Sequence, residues 1–263
     1  MVNGKTEIYK VPNEFGEELD VLIEGQEGAP EMIVFVHGYG TDKDEGFSSF
    51  IDLSNAFQGE YLNIRYDQAG YGKSGGEDQA FNLQKAAGDL RSIFRWAREK
   101  YPDKKVNIFA HSLGVFTTLL LSPSGVERFG LTSIPNSDTE YVIKNLQERI
   151  KTAGGKLNEN GITAYPRTKG ATQLIGPEFW KTLRNLDPLK LLRELAKSSK
   201  IAIFRPMQDD VIGSNHFDEY RDIEGVQYTE LNGDHNFTKL EDRAAVIEAL
   251  REFLRDKSGS FDS

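Results

Sequence analysis

The 263-residue chain contains no cysteine, which excludes disulfides, thiolate metal sites and a cysteine nucleophile together. No apolar run comes near the roughly 18 residues needed to cross a bilayer. Positive charge is also short: 32 Lys and Arg stand against 41 Asp and Glu, for a formal net charge of −9. That balance argues against nucleic acid, which asks for a basic face, and against an anionic membrane surface. The one basic stretch, at 98–105, is broken by Glu99 and Asp103 and reads as a solvated helix end. Residues 1–16 are polar and mixed in charge, without the apolar core of a secretory signal. The expectation is a cytoplasmic protein with a small-molecule partner, of a length that single α/β domains commonly reach.

What is present is a rhythm of short apolar runs and amphipathic stretches. Residues 7–11 and 19–24 read as strands joined by the turn Asn13-Glu14-Phe15-Gly16. The all-apolar run 32–36 reads as a strand covered on both faces. A helical stretch at 47–57 leads to a strand at 61–66. In 82–100, Leu83, Ala86, Ala87, Leu90, Ile93, Phe94 and Ala97 recur on one helix face. A strand at 106–109, a helix at 115–121 and a strand at 128–134 follow. After Ile134 the alternation breaks. Helical patterns at 141–151 and 189–197 flank a piece, 161–177, that Gly and Pro punctuate. Strands at 201–204 and 226–231, a helix at 243–254 and a polar, frayed tail at 257–263 complete the chain.

Strands alternating with helices predict an α/β fold with a mostly parallel central sheet, helices on both faces and an antiparallel opening. The expected division is a core of 1–134 and 199–263, with 135–198 inserted as a lid. Ligands of such sheets bind at the carboxyl ends of strands, and the insertion leaves from one such end.

Ala110-His111-Ser112-Leu113-Gly114 joins an apolar strand to an apolar helix. A serine there, with small residues two places either side, fits a nucleophile elbow, whose sharp turn leaves no space for bulk. The competing reading is an ordinary turn with an incidental serine. A serine hydroxyl needs a base, and the base needs a carboxylate to orient it. The chain has four histidines, at 37, 111, 216 and 235. His111, beside the serine, points the wrong way to serve it. His37 ends a strand and props the next loop, and His216 opens a helical stretch. His235, in a turn after the last strand, is favoured over His216. Asp209 and Asp210 both follow the strand at 201–204; Asp209 is favoured, because it leaves Asp210 facing out. The N–H groups of Leu113 and of Tyr39, in Val36-His37-Gly38-Tyr39-Gly40, are the candidate oxyanion donors.

The ordered set His37-Gly38, Asp67-x-x-Gly70-x-Gly72-x-Ser74, Ser112, Asp209 and His235 resembles an α/β-hydrolase over nearly the whole chain. Among subfamilies it is similar to small serine esterases: carboxylesterases, cinnamoyl (feruloyl) esterases and monoacylglycerol-lipase-like enzymes. Ala110 stands where such elbows usually carry glycine, and Ala69 where many relatives carry arginine. The resemblance implies ester hydrolysis through an acyl-enzyme, with Ser112, His235 and Asp209 as the triad and no cofactor or metal. The same parts serve acyltransferases, thioesterases, amidases and carbon–carbon bond hydrolases, and a non-catalytic receptor can share the scaffold. His111, Tyr141, Tyr165, Phe179 and Trp180 are candidate substrate-lining residues; the aromatics of the insertion read equally as its own small core.

Three motifs are set aside. Gly72-Lys73-Ser74 lacks the first glycine of a phosphate loop, since position 67 is aspartate. Asp42, Asp44 and Glu45 lack the spacing of a calcium loop and read as a solvated loop. Asn236-Phe237-Thr238 matches a glycosylation sequon that has no secretion context.

Overall fold

In the computed structural model, residues 5–167, 170–212 and 219–256 are described. An eight-stranded sheet runs through them in the order β1-β2-β4-β3-β5-β6-β9-β10. Its strands are β1 (Lys5–Pro12), β2 (Glu18–Gly25), β3 (Glu31–Val36), β4 (Leu62–Tyr66), β5 (Lys105–His111), β6 (Val126–Thr132), β9 (Lys200–Pro206) and β10 (Val226–Leu231). β1, β2 and β4 pair antiparallel, and every pairing from β4 through β3 to β10 is parallel. The helices are α1 (Ser49–Phe57), α2 (Leu83–Lys100), α3 (Leu113–Leu121), α4 (Thr139–Thr152), α5 (Pro177–Arg184), α6 (Pro188–Ala196) and α7 (Leu240–Arg255). A two-stranded antiparallel hairpin, β7 (Thr163–Pro166) and β8 (Thr172–Ile175), lies between α4 and α5.

The period of two in each strand divides the core into two layers. On β3, Met32, Val34 and Val36 pack with α2 and α3, while Ile33 and Phe35 face α1 and α7. β9 repeats the pattern, with Ile201 and Ile203 on the first side and Ala202 and Phe204 on the second. Because both faces are covered, these strands need apolar residues at every position. α2 buries the stripe read from its sequence, and the Asn82 side chain caps it by accepting from the Lys85 N–H at 3.0 Å.

Two elements depart from the sequence reading. The piece 161–177 holds a hairpin, because Thr163 and Tyr165 turn inward from one face of β7 in a short alternation. Pro177 is punctuation of another kind: it opens α5 from the first turn, where its missing N–H costs nothing. His216 and residues 257–263 lie outside the described residues.

Candidate active site

Ser112 sits between β5 and α3 with φ 53° and ψ −128°, a backbone conformation that L residues rarely hold. The packing around it enforces the turn. A Cβ on Gly114 would stand 2.4 Å from the Val36 carbonyl oxygen, so α3 can start only if that position is bare. Ala110 is fully buried, and its single methyl is accommodated. The Ser112 N–H donates to the Thr132 carbonyl at 3.0 Å, tying the turn to the end of β6.

His235 and Asp209 come from loops after β10 and β9, both at the same edge of the sheet. His235 Nε2 lies 3.0 Å from Ser112 Oγ, and Nδ1 lies 2.7 Å from Asp209 Oδ2. Asp209 is fully buried, whereas Asp210 is exposed. The other Asp209 oxygen accepts the N–H groups of Val211 and Ile212 at 2.9 and 3.0 Å. Burial pushes this carboxyl upward, but the charge and hydrogen bond of His235 and the two backbone donors outweigh it, leaving the group below its ordinary value. The structure therefore brings three side chains, 123 and 26 residues apart along the chain in successive pairs, into one hydrogen-bonded line.

The loop after β3 closes over the serine. A Cβ on Gly38 would fall 3.1 Å from Ser112 Cβ, so the backbone leading into Tyr39 runs directly beside the serine. His37 is buried and holds this loop to the one after β4: its Nε2 accepts the Gln68 N–H at 2.9 Å, and its Nδ1 lies 2.8 Å from the Gly38 carbonyl. Burial lowers the His37 pKa, as befits a neutral ring. The Asp67–Ser74 motif is a brace: Asp67 accepts the N–H groups of Lys43 and Lys73 at 2.7 and 2.8 Å and pairs with Lys43 Nζ at 2.8 Å.

The remaining expected site residues separate. Phe179 and Trp180 are each 1% exposed; Phe179 stacks on Tyr39 at 4.5 Å and meets Trp180 at 5.3 Å. Tyr165 is also buried, with the Arg167 guanidinium 4.9 Å over its ring. These three are packed into the core that the segment shares with the sheet, α2 and α3, rather than into a small core of the segment's own. Tyr141 is half-buried in the first turn of α4. His111 was expected beside the substrate, but it is buried with one ring nitrogen 3.2 Å from Glu45 and the other 2.9 Å from the His235 carbonyl.

Glu45 corrects the sequence reading most sharply. Of the acidic trio read as a solvated loop, Asp44 pairs with Arg65, and Glu45 is buried against His111. Periodicity carries no signal for a single inward turn of a polar loop. Among the described residues no cluster of His, Cys, Asp and Glu is arranged to hold a metal ion.

A sheet of this order, with a strained serine after β5 and an acid and histidine after its last two strands, defines the α/β-hydrolase fold. Residues 31–152 match the family described as alpha/beta hydrolase fold. The esterase domain of a Rhodothermus marinus protein superposes with a TM-score of 0.70 at 19% identity, covering 95% of this chain and 98% of that one. An esterase of Pyrococcus furiosus gives 0.72 at 14% identity, covering 95% and 90%. Est1E of Butyrivibrio proteoclasticus, in a structure with ferulic acid bound, gives 0.70 at 12% identity, covering 94% and 100%. No curated protein matches the chain by sequence. Among the described residues, no helix is long and apolar enough to cross a membrane.

Proposed function

We propose that this protein is a serine hydrolase that cleaves carboxylic esters of short to medium acyl or aryl acids. The observation that carries the reading is the Ser112–His235–Asp209 line, ending on a serine held at φ 53°. In this reading Ser112 Oγ attacks the ester carbonyl while His235 Nε2 takes its proton. Asp209, ionised by its environment, accepts from Nδ1–H and holds the imidazolium that forms. The N–H groups of Leu113 and Tyr39 receive the oxyanion; each such donor contributes about 100- to 1,000-fold in kcat. The tetrahedral adduct collapses, and His235 returns the proton to the leaving alcohol. Water, deprotonated by the same histidine, then attacks the acyl-enzyme and releases the acid. No step calls for a cofactor.

The 135–198 segment is proposed to act as the lid. Supporting this, Gln173 of β8 donates to the Tyr71 hydroxyl at 2.9 Å, and Phe179 stacks on the oxyanion-loop residue Tyr39. A lid rich in Lys, Arg and Glu, with Phe179 and Trp180 buried in the core, suits soluble esters better than emulsified lipid. The test is a series of p-nitrophenyl esters from acetate to palmitate with Ser112→Ala in parallel. The expected result is a maximum at short to medium chains and a loss of about a million-fold in kcat in the variant. Activity retained by the variant would refute the mechanism; preference for long-chain triglyceride would refute the substrate class. A serine-directed phosphonate that fails to label the intact protein would point instead to a receptor.

A further inference from the structure

Directly beneath the Ser112 line lies a second polar pair that the reaction as written does not use. Glu45 and His111 have side chains 2% and 5% exposed and approach to 3.2 Å. The Glu45 carboxylate faces two backbone N–H donors and the His111 ring. Oε2 accepts the Gly38 N–H at 2.5 Å and faces His111 Nδ1, while Oε1 accepts the Gly46 N–H at 2.9 Å. Both neighbours of the His111 ring are acceptors: the carboxylate at Nδ1, and at Nε2 the His235 carbonyl at 2.9 Å. The Nδ1 contact is an ion-pair distance outside hydrogen-bond geometry, so it is the charge of a carboxylate already accepting two backbone N–H groups, together with the His235 carbonyl at Nε2, that favours a proton on each ring nitrogen. Burial alone opposes both charges, but each charge and its hydrogen bonds outweigh it, raising His111 and drawing Glu45 down to about 2. Glu45 also holds φ 58°, a strained value for a side-chain-bearing residue.

We propose that Glu45 and His111 form a buried ion pair that positions the oxyanion loop and the base loop against Ser112. The proposal rests on the serine-hydrolase reading above. One end of the pair holds the N–H of Gly38, the residue before the oxyanion donor Tyr39. The other end holds the carbonyl of His235 itself, which Ser133 Oγ–H also anchors at 2.7 Å. Two loops that leave different strands are thus set relative to one another through one imidazolium. Asp209 and the His235 ring, 4.9 Å away, also face His111, as does His37 the carboxylate. Because the pair is neutral overall, it fixes geometry without adding net charge beside the base.

No neutral side chain replaces Glu45. A glutamine amide must point its NH2 at either the Gly38 or the Gly46 N–H, leaving one of them without an acceptor. Both Glu45→Gln and His111→Gln are therefore expected to lower kcat for p-nitrophenyl acetate by about 10- to 100-fold, as small misplacements of reacting groups do. KM should stay within about threefold, and the double variant should be little worse than the poorer single, since the two act as a unit. His111→Gln leaves the Glu45 charge unpaired near His235 and should move the acid limb of the kcat profile to higher pH; Glu45→Gln should not. A merely structural role would lower stability and leave that limb in place. Singles whose losses multiply, with limbs matching the parent, overturn the proposal.

Nitrogen NMR of the imidazoles in the intact full chain reads the pair without any substrate, His111→Gln serving to identify the His111 signals. The expected spectrum shows both His111 nitrogens protonated from about pH 6 to 8, and one proton lost in Glu45→Gln. A singly protonated His111 in the parent protein over that range refutes the ion pair, even if a variant fails to fold. Absent ester hydrolysis and absent phosphonate labelling would count against the serine-hydrolase reading instead, while the NMR result still decides the pair.

Discussion

β5 and β9, the strands that lead to Ser112 and Asp209, bury every residue but their first, whereas α4 and α6 bury one narrow stripe each. The chemistry-bearing groups stand on a support that cannot shift without unpacking both layers of the core. The 135–198 segment joins one side of that core through side chains such as Ile143, Phe179, Trp180 and Leu192, and adds hydrogen bonds in which Asp78 accepts the Leu174 N–H at 2.7 Å and Asn145 donates to the Val211 carbonyl at 2.6 Å. The difference teaches where change is tolerated: on the proposed function, substitutions in the sheet would touch the reaction itself, and those in the segment's exposed faces would touch substrate choice.

Substitutions on the two sides should break this contrast or sharpen it. Asp209→Asn should cost about 10,000-fold in kcat with the fold intact, since the amide no longer fixes the tautomer of His235; near-parent kcat would mean the sheet edge does not carry the reaction. Trp180→Ala should remove about 3–5 kcal/mol from unfolding in urea, in one transition, if the segment and sheet melt together. Two separate transitions would show the segment to be an independent unit. Next comes acid. Glu45 is held near 2 against an ordinary 4.5, so its stabilisation is complete above about pH 5 and is lost as pH falls toward 2. The stability gap between the parent and Glu45→Gln should therefore narrow by about 3 kcal/mol between pH 7 and pH 2, read by urea titration at each pH. The smallest effect belongs to the segment's surface: Arg184, 42% exposed, bridges Glu140 and Glu159, and Arg184→Ala should change the melting free energy by about 0–1 kcal/mol.

The same contrast governs what the sequence disclosed. The central strands were legible because being covered on both faces demands unbroken apolar runs, and 32–36 and 201–204 supply them. α2 was legible because 18 residues give a stripe time to repeat. The line of Ser112, Asp209 and His235 could be traced because each follows a strand, and strand ends of such a sheet share one edge. β7, β8 and α5 escaped because four to eight residues are too few to establish a period, and their turn-forming residues dominate the pattern. Glu45 escaped for another reason. Its carboxylate is enclosed by the Gly38 and Gly46 N–H groups and by His111, from a strand end 66 positions later, and the residue pattern around Asp42, Asp44 and Glu45 does not show which of the three turns inward.

The order of the chain adds a temporal consequence. β9 pairs onto β6, and β10 onto β9, so the last two strands join an edge that the first six leave open. During synthesis the serine turn can form long before residue 235 leaves the ribosome, and the hydrogen bond between His235 and Ser112 becomes possible only with the final edge strand. If the proposed function holds, a chain lacking that strand should carry an inert hydroxyl, and recovery of activity on refolding should time the docking of β9 and β10, making turnover a built-in stopwatch for the last step of assembly.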